Sequence, residues 1–158
     1  MPKGVANSME SHIDQKEILR LLPHRGRAIK IDRAIFKIME SSGISAFKKI
    51  GTENHDLEGH FPDNPIYPGV AMIEGANQAA AILIKILHPD IAGFPISKKV
   101  DIDFIRKVRP DSELEIKVSL ASSCVLRGSK MFRFFVTITN EKNKLVATGF
   151  IEGVAGKI

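Results

Sequence analysis

The stretch VAMIEGANQAAAILIKIL, residues 70–87, is the most apolar part of the chain and decides how the rest must fold. Four polar side chains interrupt it, so we expect a buried core helix rather than a membrane span. They are Glu74, Asn77, Gln78 and Lys85. An apolar helix of this length must be covered on nearly all sides, and a single curved sheet wrapped around it would do that.

The segments on either side of this helix have the composition of strands. Before it, residues 28–38 and 43–50 are rich in β-branched and aromatic side chains. After it, apolar side chains alternate with polar ones in four further runs, as they do in half-buried strands. These runs lie at 96–104, 114–120, 132–138 and 145–154. One long helix and about six strands predict an α+β fold, in which an antiparallel sheet packs on the helix.

Caps and loops divide the remaining chain. Residues 1–13 are expected to be a flexible lead-in to a single domain that spans 14–158. Asp14 is predicted to cap a short helix that Pro23 ends. Residues 51–68, rich in Gly, Pro, Asn and Asp, are predicted to form the loop that leads into the long helix.

Composition argues against several classes of function. The net charge is +5, but the chain has no Trp, one Tyr and no basic run interleaved with aromatic side chains, so we expect no nucleic-acid partner. A single cysteine, Cys124, rules out an intrachain disulfide framework and fits a reducing cytoplasm. Residues 1–17 contain no apolar stretch of the secretory kind, so we expect a cytoplasmic protein.

Glu74 stands out because it is a carboxylate inside the apolar helix. It forms a polar stripe with Asn77 and Gln78 at i,i+3 and i,i+4 spacing. An ionised carboxylate buried without partners is costly, so Glu74 is either bonded within the fold or used as a proton donor. His60 lies in a loop that Gly59 and nearby prolines constrain, and an imidazole can accept a proton near neutral pH.

The start of the long helix offers a third chemical group. With Pro68 and Gly69 opening the helix, its first backbone N–H groups are free and lie at the positive end of the helix dipole. These groups could hold a carbonyl oxygen that gains charge during a reaction, and Gly69 would allow a ligand to approach closely. A base, an acid and an oxyanion site together suit proton abstraction beside a carbonyl.

A metal site is the competing interpretation of the same loop. The segment HDLEGH, residues 55–60, offers two histidines and two carboxylates. A zincin needs its histidines at i,i+4 on a helix, whereas these stand at i,i+5, and Gly59 and Pro62 discourage a helix. We therefore expect no metal at this position.

Four segments together resemble a known family. They are LLPHR (21–25), IDR (31–33), GHFPDNPIYPGVAMIEGANQAA (59–80) and DFIRKVRPDSEL (103–114). In this order they are similar to the 3-hydroxyacyl-[acyl-carrier-protein] dehydratases of type II fatty acid synthesis. The likeness extends from about residue 16 to residue 154.

The resemblance implies a hotdog fold, an antiparallel sheet wrapped around a central helix, and a homodimer or a trimer of such dimers. It implies removal of water from a (3R)-3-hydroxyacyl thioester to give a trans-2-enoyl thioester, without a metal or redox cofactor. His60 of one subunit would take the C2 proton, and Glu74 of the other would help protonate the departing hydroxyl. The Gly69 amide would polarise the thioester carbonyl.

The resemblance also implies where the substrate and its carrier bind. The acyl chain would lie in an apolar tunnel beside the helix, which Phe61, Pro68, Val70 and Gln78 would line or support. Acyl carrier protein is acidic, so a basic cluster is a candidate docking site, although it could equally be a solvated strand face. The cluster comprises Lys98, Lys99, Arg106, Lys107 and Arg109. For His24 and Arg25 we expect a structural role.

Two other functions are compatible with the sequence. A hotdog thioesterase would hydrolyse the same thioester, and a non-catalytic subunit would bind it without turnover. The sequence also departs from the usual pattern of the family in GRAIKIDR (26–33) and at Asn77, where a small or apolar residue is more usual. These departures leave open the acyl chain length and the choice between a housekeeping and a specialised pathway.

Overall fold

The computed structural model describes residues 10–37 and 42–156, and these residues form one seven-stranded antiparallel sheet and two α-helices. The helices are α1 (Gln15–Leu21) and α2 (Gly69–Leu87). The strands are β1 (Glu10–Ile13), β2 (Arg33–Lys37), β3 (Gly43–Ile50), β4 (Ile96–Phe104), β5 (Ser112–Leu126), β6 (Ser129–Asn140) and β7 (Leu145–Ala155). Their order in the sheet is β1-β2-β3-β5-β6-β7-β4, so β1 and β4 are the edges.

The long helix α2 packs across the strands β3 and β5, and its start and end agree with the prediction. It can approach β5 closely because a Cβ on Gly75 would lie only 2.8 Å from Cδ1 of Ile116. By length and composition alone α2 could cross a membrane, but 61% of that stretch is buried inside the protein. It is thus the central helix of the core, as the sequence predicts.

The N-terminal segment is partly different from the expectation. Asp14 caps α1 as predicted, since its side chain accepts a hydrogen bond from Glu17 N at 2.9 Å. Residues 10–13, however, are not a flexible lead-in, because they form β1 and pair with β2. A four-residue run in which Ile13 alone is buried gives no alternating pattern to detect. Residues 1–9 lie outside the described part of the chain.

The strand predicted at 28–38 begins only at Arg33, and residue 38 is not among the residues described. The backbone of residues 28–30 instead makes hydrogen bonds to a side chain of α2. The side chain of Gln78 on α2 donates to Ala28 O and accepts from Lys30 N. These backbone groups are therefore bound to the helix and unavailable to a neighbouring strand.

The last three strands form a meander with short turns. The sequence of residues 127–130, Arg-Gly-Ser-Lys, predicts a hairpin, and Arg127 and Gly128 join β5 to β6 there with φ angles of +50° and +82°. Alternate side chains of β6 from Phe132 to Ile138 are buried, again as predicted. Cys124 lies near this turn on β5 and is exposed.

Within the described part of the chain, the edge strand β4 pairs with β7 alone and leaves apolar side chains in solvent. Ile96, Val100 and Phe104 are 47%, 39% and 50% exposed. We expected these residues to share one face, but the register skips Lys98, which forms a bulge between Ser97 and Lys99. The bulge places Ile96 on the opposite face from Val100. One edge of the sheet is therefore long, unpaired and partly apolar in the single chain.

Candidate active site

Glu74 sits in the second turn of α2 and belongs to a hydrogen-bonded chain of polar groups. Gln78, one turn later, donates from Nε2 to Glu74 Oε1 at 2.8 Å and to Ala28 O at 2.6 Å. Its own Oε1 accepts from Lys30 N at 2.9 Å. The polar stripe predicted from i,i+4 spacing therefore exists. Glu74 is less buried than expected, since 37% of its side chain is exposed in the single chain.

His24 is the residue of this site that sequence reasoning missed. Its Nε2 lies 3.1 Å from Glu74 Oε1, the oxygen that also accepts from Gln78. We expected a structural role for His24; fifty positions separate it from Glu74 (74 − 24), so no local spacing connects the two residues. Its membership of the LLPHR segment was the available signal.

A cavity of about 220 Å³ opens beside these side chains. His24, Glu74, Asn77 and Gln78 contribute polar groups to its lining. Most of the rest is apolar and comes from α2, the α2–β4 connection and the strands β4, β6 and β7, including Ala81, Ile84, Phe94, Phe134 and Ile151. Of the four residues assigned to a tunnel, Gln78 lines this cavity. Phe61 and Val70 are instead 53% and 74% exposed on the surface, and Pro68 is the N-cap of α2.

His60 is half-buried in the loop before α2, and its ring is oriented by the backbone. Nδ1 lies 2.8 Å from the carbonyl oxygen of Ile66. A carbonyl oxygen can only accept, so Nδ1 carries the hydrogen and Nε2 keeps a free lone pair. The Ile66 N–H in turn donates to His60 O at 2.8 Å, which closes the loop between the two residues. The ring also stacks on Phe61, with centroids 4.5 Å apart.

The loop that carries His60 is anchored to the segment between β4 and β5. Tyr67 N donates to Val108 O at 2.8 Å, and the Tyr67 side chain is buried. Arg109 Nη1 donates to Asn64 Oδ1 at 2.5 Å. Two connections therefore fix the position of the histidine relative to the sheet.

At the start of α2, the described residues supply no acceptor for the first two N–H groups, those that we expected to be available to a ligand. Its first backbone hydrogen bonds run from Ala71 N and Met72 N to Pro68 O, so the N–H groups of Gly69 and Val70 precede them. The ring of Phe104 on β4 lies against Gly69, where a Cβ would be 2.7 Å from Phe104 Cζ. A ligand could reach this amide only from a direction that Phe104 leaves open.

The structure does not bring all of these groups together within one chain. Among residues 10–37 and 42–156, no hydrogen bond or ion pair joins His60 to Glu74. Glu74 faces the cavity with His24, whereas His60 lies outside its lining.

Comparison with known proteins gives the family. A family model described as ApeI dehydratase matches residues 38–149. The 3-hydroxyacyl-[acyl-carrier-protein] dehydratase FabZ of Campylobacter fetus subsp. fetus is 38% identical over 115 residues, which are 68% of this chain and 77% of that protein. The FabZ of Haemophilus influenzae is 33% identical over 132 residues, 82% of this chain and 86% of that protein. The chain belongs to the FabZ-like dehydratase family. It is therefore an enzyme of the hydro-lyase class, as predicted.

Solved structures add the fold of this dehydratase. A thioesterase superfamily member from Thermus thermophilus matches with a TM-score of 0.59 and 17% identity, over 75% of this chain and 83% of that one. A hypothetical thioesterase with coenzyme A from Streptococcus pneumoniae matches with a TM-score of 0.57 and 13% identity, over 77% and 84% of the two chains. At such identities the likeness concerns the fold alone, and it confirms the predicted hotdog fold.

The predicted docking cluster and the segment considered for a metal lie outside this cavity. The five basic residues of the predicted docking cluster are all exposed, on β4 or just after it. In the segment first considered for a metal, Asp56 pairs instead with Lys30 Nζ at 2.6 Å, and His55 is exposed. Within the described ranges no three metal-ligating side chains cluster.

Proposed function

We propose that this dehydratase removes water from (3R)-3-hydroxyacyl thioesters carried by acyl carrier protein and forms trans-2-enoyl thioesters for fatty acid biosynthesis. The observation that carries the proposal is the orientation of the His60 ring. Because Nδ1 is committed to Ile66 O, Nε2 is the nitrogen left to accept a proton. The names of the relatives supply the substrate class.

The proposed reaction needs one base, one acid and one carbonyl-binding group. His60 Nε2 takes the proton from C2, and the electron pair of that C–H bond forms the C2–C3 double bond. Glu74 gives a proton to the C3 hydroxyl, so the C3–O bond breaks and water leaves. The Gly69 N–H donates to the thioester carbonyl oxygen as charge gathers on it. These transfers need no metal or other cofactor, so we expect chelators to leave the rate unchanged.

We further propose that each site is completed by a second copy of the chain. His60 and Glu74 do not meet within one chain, while apolar side chains near His60 and the start of α2 are exposed. Phe61, Val70 and Phe104 are each at least half exposed. Exposed apolar surface of this kind is typical of an interaction site. A homodimer, or a trimer of such dimers, would cover it and bring His60 of one copy to Glu74 of the other.

The carrier protein is proposed to dock on the basic cluster. Positive charge on an exposed surface suits an acidic carrier. The exposed basic residues are Lys98, Lys99, Arg106, Lys107 and Arg109.

Because α2 is a core helix rather than a membrane span, we propose that the reaction takes place in the cytoplasm. The family model names ApeI and the relatives name FabZ, so a panel of acyl chain lengths is needed to decide between pathways.

Hydration of a crotonyl thioester tests the proposal, since the enoyl absorbance falls as water adds. We expect His60→Ala and Glu74→Gln each to lower the rate about 100-fold or more, because general acid–base catalysis contributes that much. His12→Ala, at an exposed position on β1, is the matched control and should keep the wild-type rate. Wild-type turnover in both site variants would contradict the mechanism. Release of free thiol by the wild type would instead favour a thioesterase.

A further inference from the structure

Two nitrogens lie against the same oxygen of Glu74, that of Gln78 through a hydrogen bond and that of His24 through a close polar contact. Gln78 Nε2 is 2.8 Å and His24 Nε2 is 3.1 Å from Oε1. No hydrogen bond from the described residues reaches Oε2 of this carboxyl. The two oxygens are therefore inequivalent, and the difference is imposed by one residue of α2 and one residue of the loop after α1.

The contact indicates which nitrogen of His24 carries hydrogen. A carboxylate oxygen can only accept, so the close contact of Nε2 with Glu74 favours hydrogen on Nε2. Nδ1 is buried and has no hydrogen-bond partner among the residues described. Hydrogen on Nδ1 would leave a buried donor unpaired, which is unfavourable. Both ends of the ring thus favour the tautomer with hydrogen on Nε2, the nitrogen that faces Glu74.

The position of the ring is set by groups other than Glu74. Arg25 Nη1 donates to Leu22 O at 2.7 Å and to His24 O at 2.6 Å, which holds the backbone of the loop. The imidazole meets the ring of Phe94 edge to face, with centroids 5.8 Å apart. His24 is therefore presented to Glu74 by a preformed loop, as a group that orients another must be.

We propose that His24 is a positioning residue for Glu74. A proton on Oε1 would have to displace the hydrogen bond from Gln78 and would also face Nε2–H of His24, so the transferable proton resides on Oε2. His24 and Gln78 together aim that oxygen at the substrate and hold the carboxyl in one rotamer. This inference rests on the proposed function, because it assigns His24 a part in the acid role given there to Glu74.

Three substitutions of His24 test the role of Nε2. The amide nitrogen of Gln can reach the place of Nε2, whereas that of Asn lies nearer to the place of Nδ1. We expect His24→Ala and His24→Asn to lower kcat for crotonyl thioester hydration about 10-fold or more, because the carboxyl loses a contact that holds its orientation. Their KM should stay within about twofold, because the lost contact orients the acid rather than binds substrate. His24→Gln should keep kcat within about threefold of the wild type.

The controls separate this inference from the proposed function. In a Glu74→Gln background, His24→Ala should cause no further loss of kcat. If Glu74→Gln alone is fully active, the proposed acid is wrong whatever His24 does. If Glu74→Gln is inactive but His24→Ala keeps the wild-type kcat, only the positioning role is wrong. Where His24→Ala fails to fold, by circular dichroism, equal kcat values for the Gln and Asn variants would overturn the inference.

Discussion

Gln78 is the residue on which the local structure of the site depends. It is 1% exposed, yet its amide makes three hydrogen bonds, to Ala28 O, Lys30 N and Glu74 Oε1. Both of its N–H groups and its oxygen are satisfied, so a buried amide is tolerated here. The same three bonds tie the segment before β2 to α2 and restrain the carboxyl.

Replacing Gln78 by Met should therefore reduce stability and activity together. Met has a similar volume but cannot hydrogen-bond to Ala28 O, Lys30 N or Glu74, and because these groups are only part-buried we expect a cost of about 1–3 kcal/mol in the free energy of unfolding. Urea denaturation measures this value. Asn77→Ala is the matched control on the neighbouring, half-buried position, and we expect it to cost about 1 kcal/mol or less. A Met variant as stable as the wild type would show that the bonds contribute little.

Tyr67 makes the stability of the enzyme depend on pH in the alkaline range. Burial first, and then the charges of Asp56 and Asp32, raise the pKa of the Tyr67 hydroxyl above its usual value near 10. Above pH 10 the unfolded chain loses this proton while the folded protein keeps it. The unfolded state then binds fewer protons, so the free energy of unfolding falls as pH rises.

We expect this fall to reach about 1.4 kcal/mol per pH unit above pH 10, and Tyr67→Phe to lack that part of the pH dependence. Urea denaturation at a series of pH values compares the two proteins. The chain has one tyrosine and no tryptophan, so phenolate absorbance reports Tyr67 alone. Phenolate formation in the native protein near pH 10 would contradict the expectation.

At the scale of single residues, the sequence predicts contacts that lie within one element and misses those between elements. The pairing of Glu74 with Gln78 follows from helical spacing alone. The contact of His24 with Glu74 does not, because it depends on how the loop after α1 is laid against α2. The orientation of His60 likewise depends on a carbonyl six residues away (66 − 60), whose position only the folded loop decides.

Among the elements, β4 depends on a glycine in its neighbour. A Cβ built on Gly149 of β7 would lie 2.0 Å from the backbone oxygen of Asp101 on β4. The three nearest atoms are all backbone atoms of Asp101 and Ile102, so no flexible side chain can move aside. The absence of a side chain at this position is therefore a condition for pairing β4 with β7.

Gly149→Ala should therefore detach part of β4 and lower the free energy of unfolding by more than an ordinary glycine substitution does. Gly128 is the matched control, because it also has a positive φ, +82°, but an added Cβ would meet nothing within 4 Å. We expect about 1 kcal/mol for Gly128→Ala and at least about 3 kcal/mol for Gly149→Ala in the free energy of unfolding. Equal losses would show that the contact with Asp101 is relieved at little cost.

Helices and strands are predicted most accurately where one local feature of the sequence, an apolar run or a pair of turn residues, determines them. The long helix, β3 and the hairpin after β5 lie where apolar runs and turn residues place them. The predictions are wrong where a side chain from another element hydrogen-bonds to the strand backbone, or where a bulge shifts the register between two strands. Gln78 binds the backbone that we assigned to the start of β2, and the bulge at Lys98 reverses the face of Ile96.

In the whole molecule, the chain has the architecture of its family but separates the two residues proposed to act together. His60 and Glu74 both follow from motifs in one stretch of 23 residues, 58–80 (80 − 58 + 1). The helix nevertheless carries Glu74 into the cavity while His60 stays in the anchored loop. Sequence alone could name both residues, but the number of chains in a site is a property of the assembly.

Mixing two inactive variants tests whether one site draws on two chains. If His60 and Glu74 come from different copies, a dimer of His60→Ala with Glu74→Gln has one doubly altered site and one intact site. Random reassortment makes half of the dimers mixed, so refolding an equal mixture from urea should restore about one quarter of the wild-type rate. The control mixes His60→Ala with the double variant, in which every site lacks His60, and it should stay inactive. If both residues of a site came from the same copy, no combination would contain an intact site, and the first mixture would stay as inactive as the control.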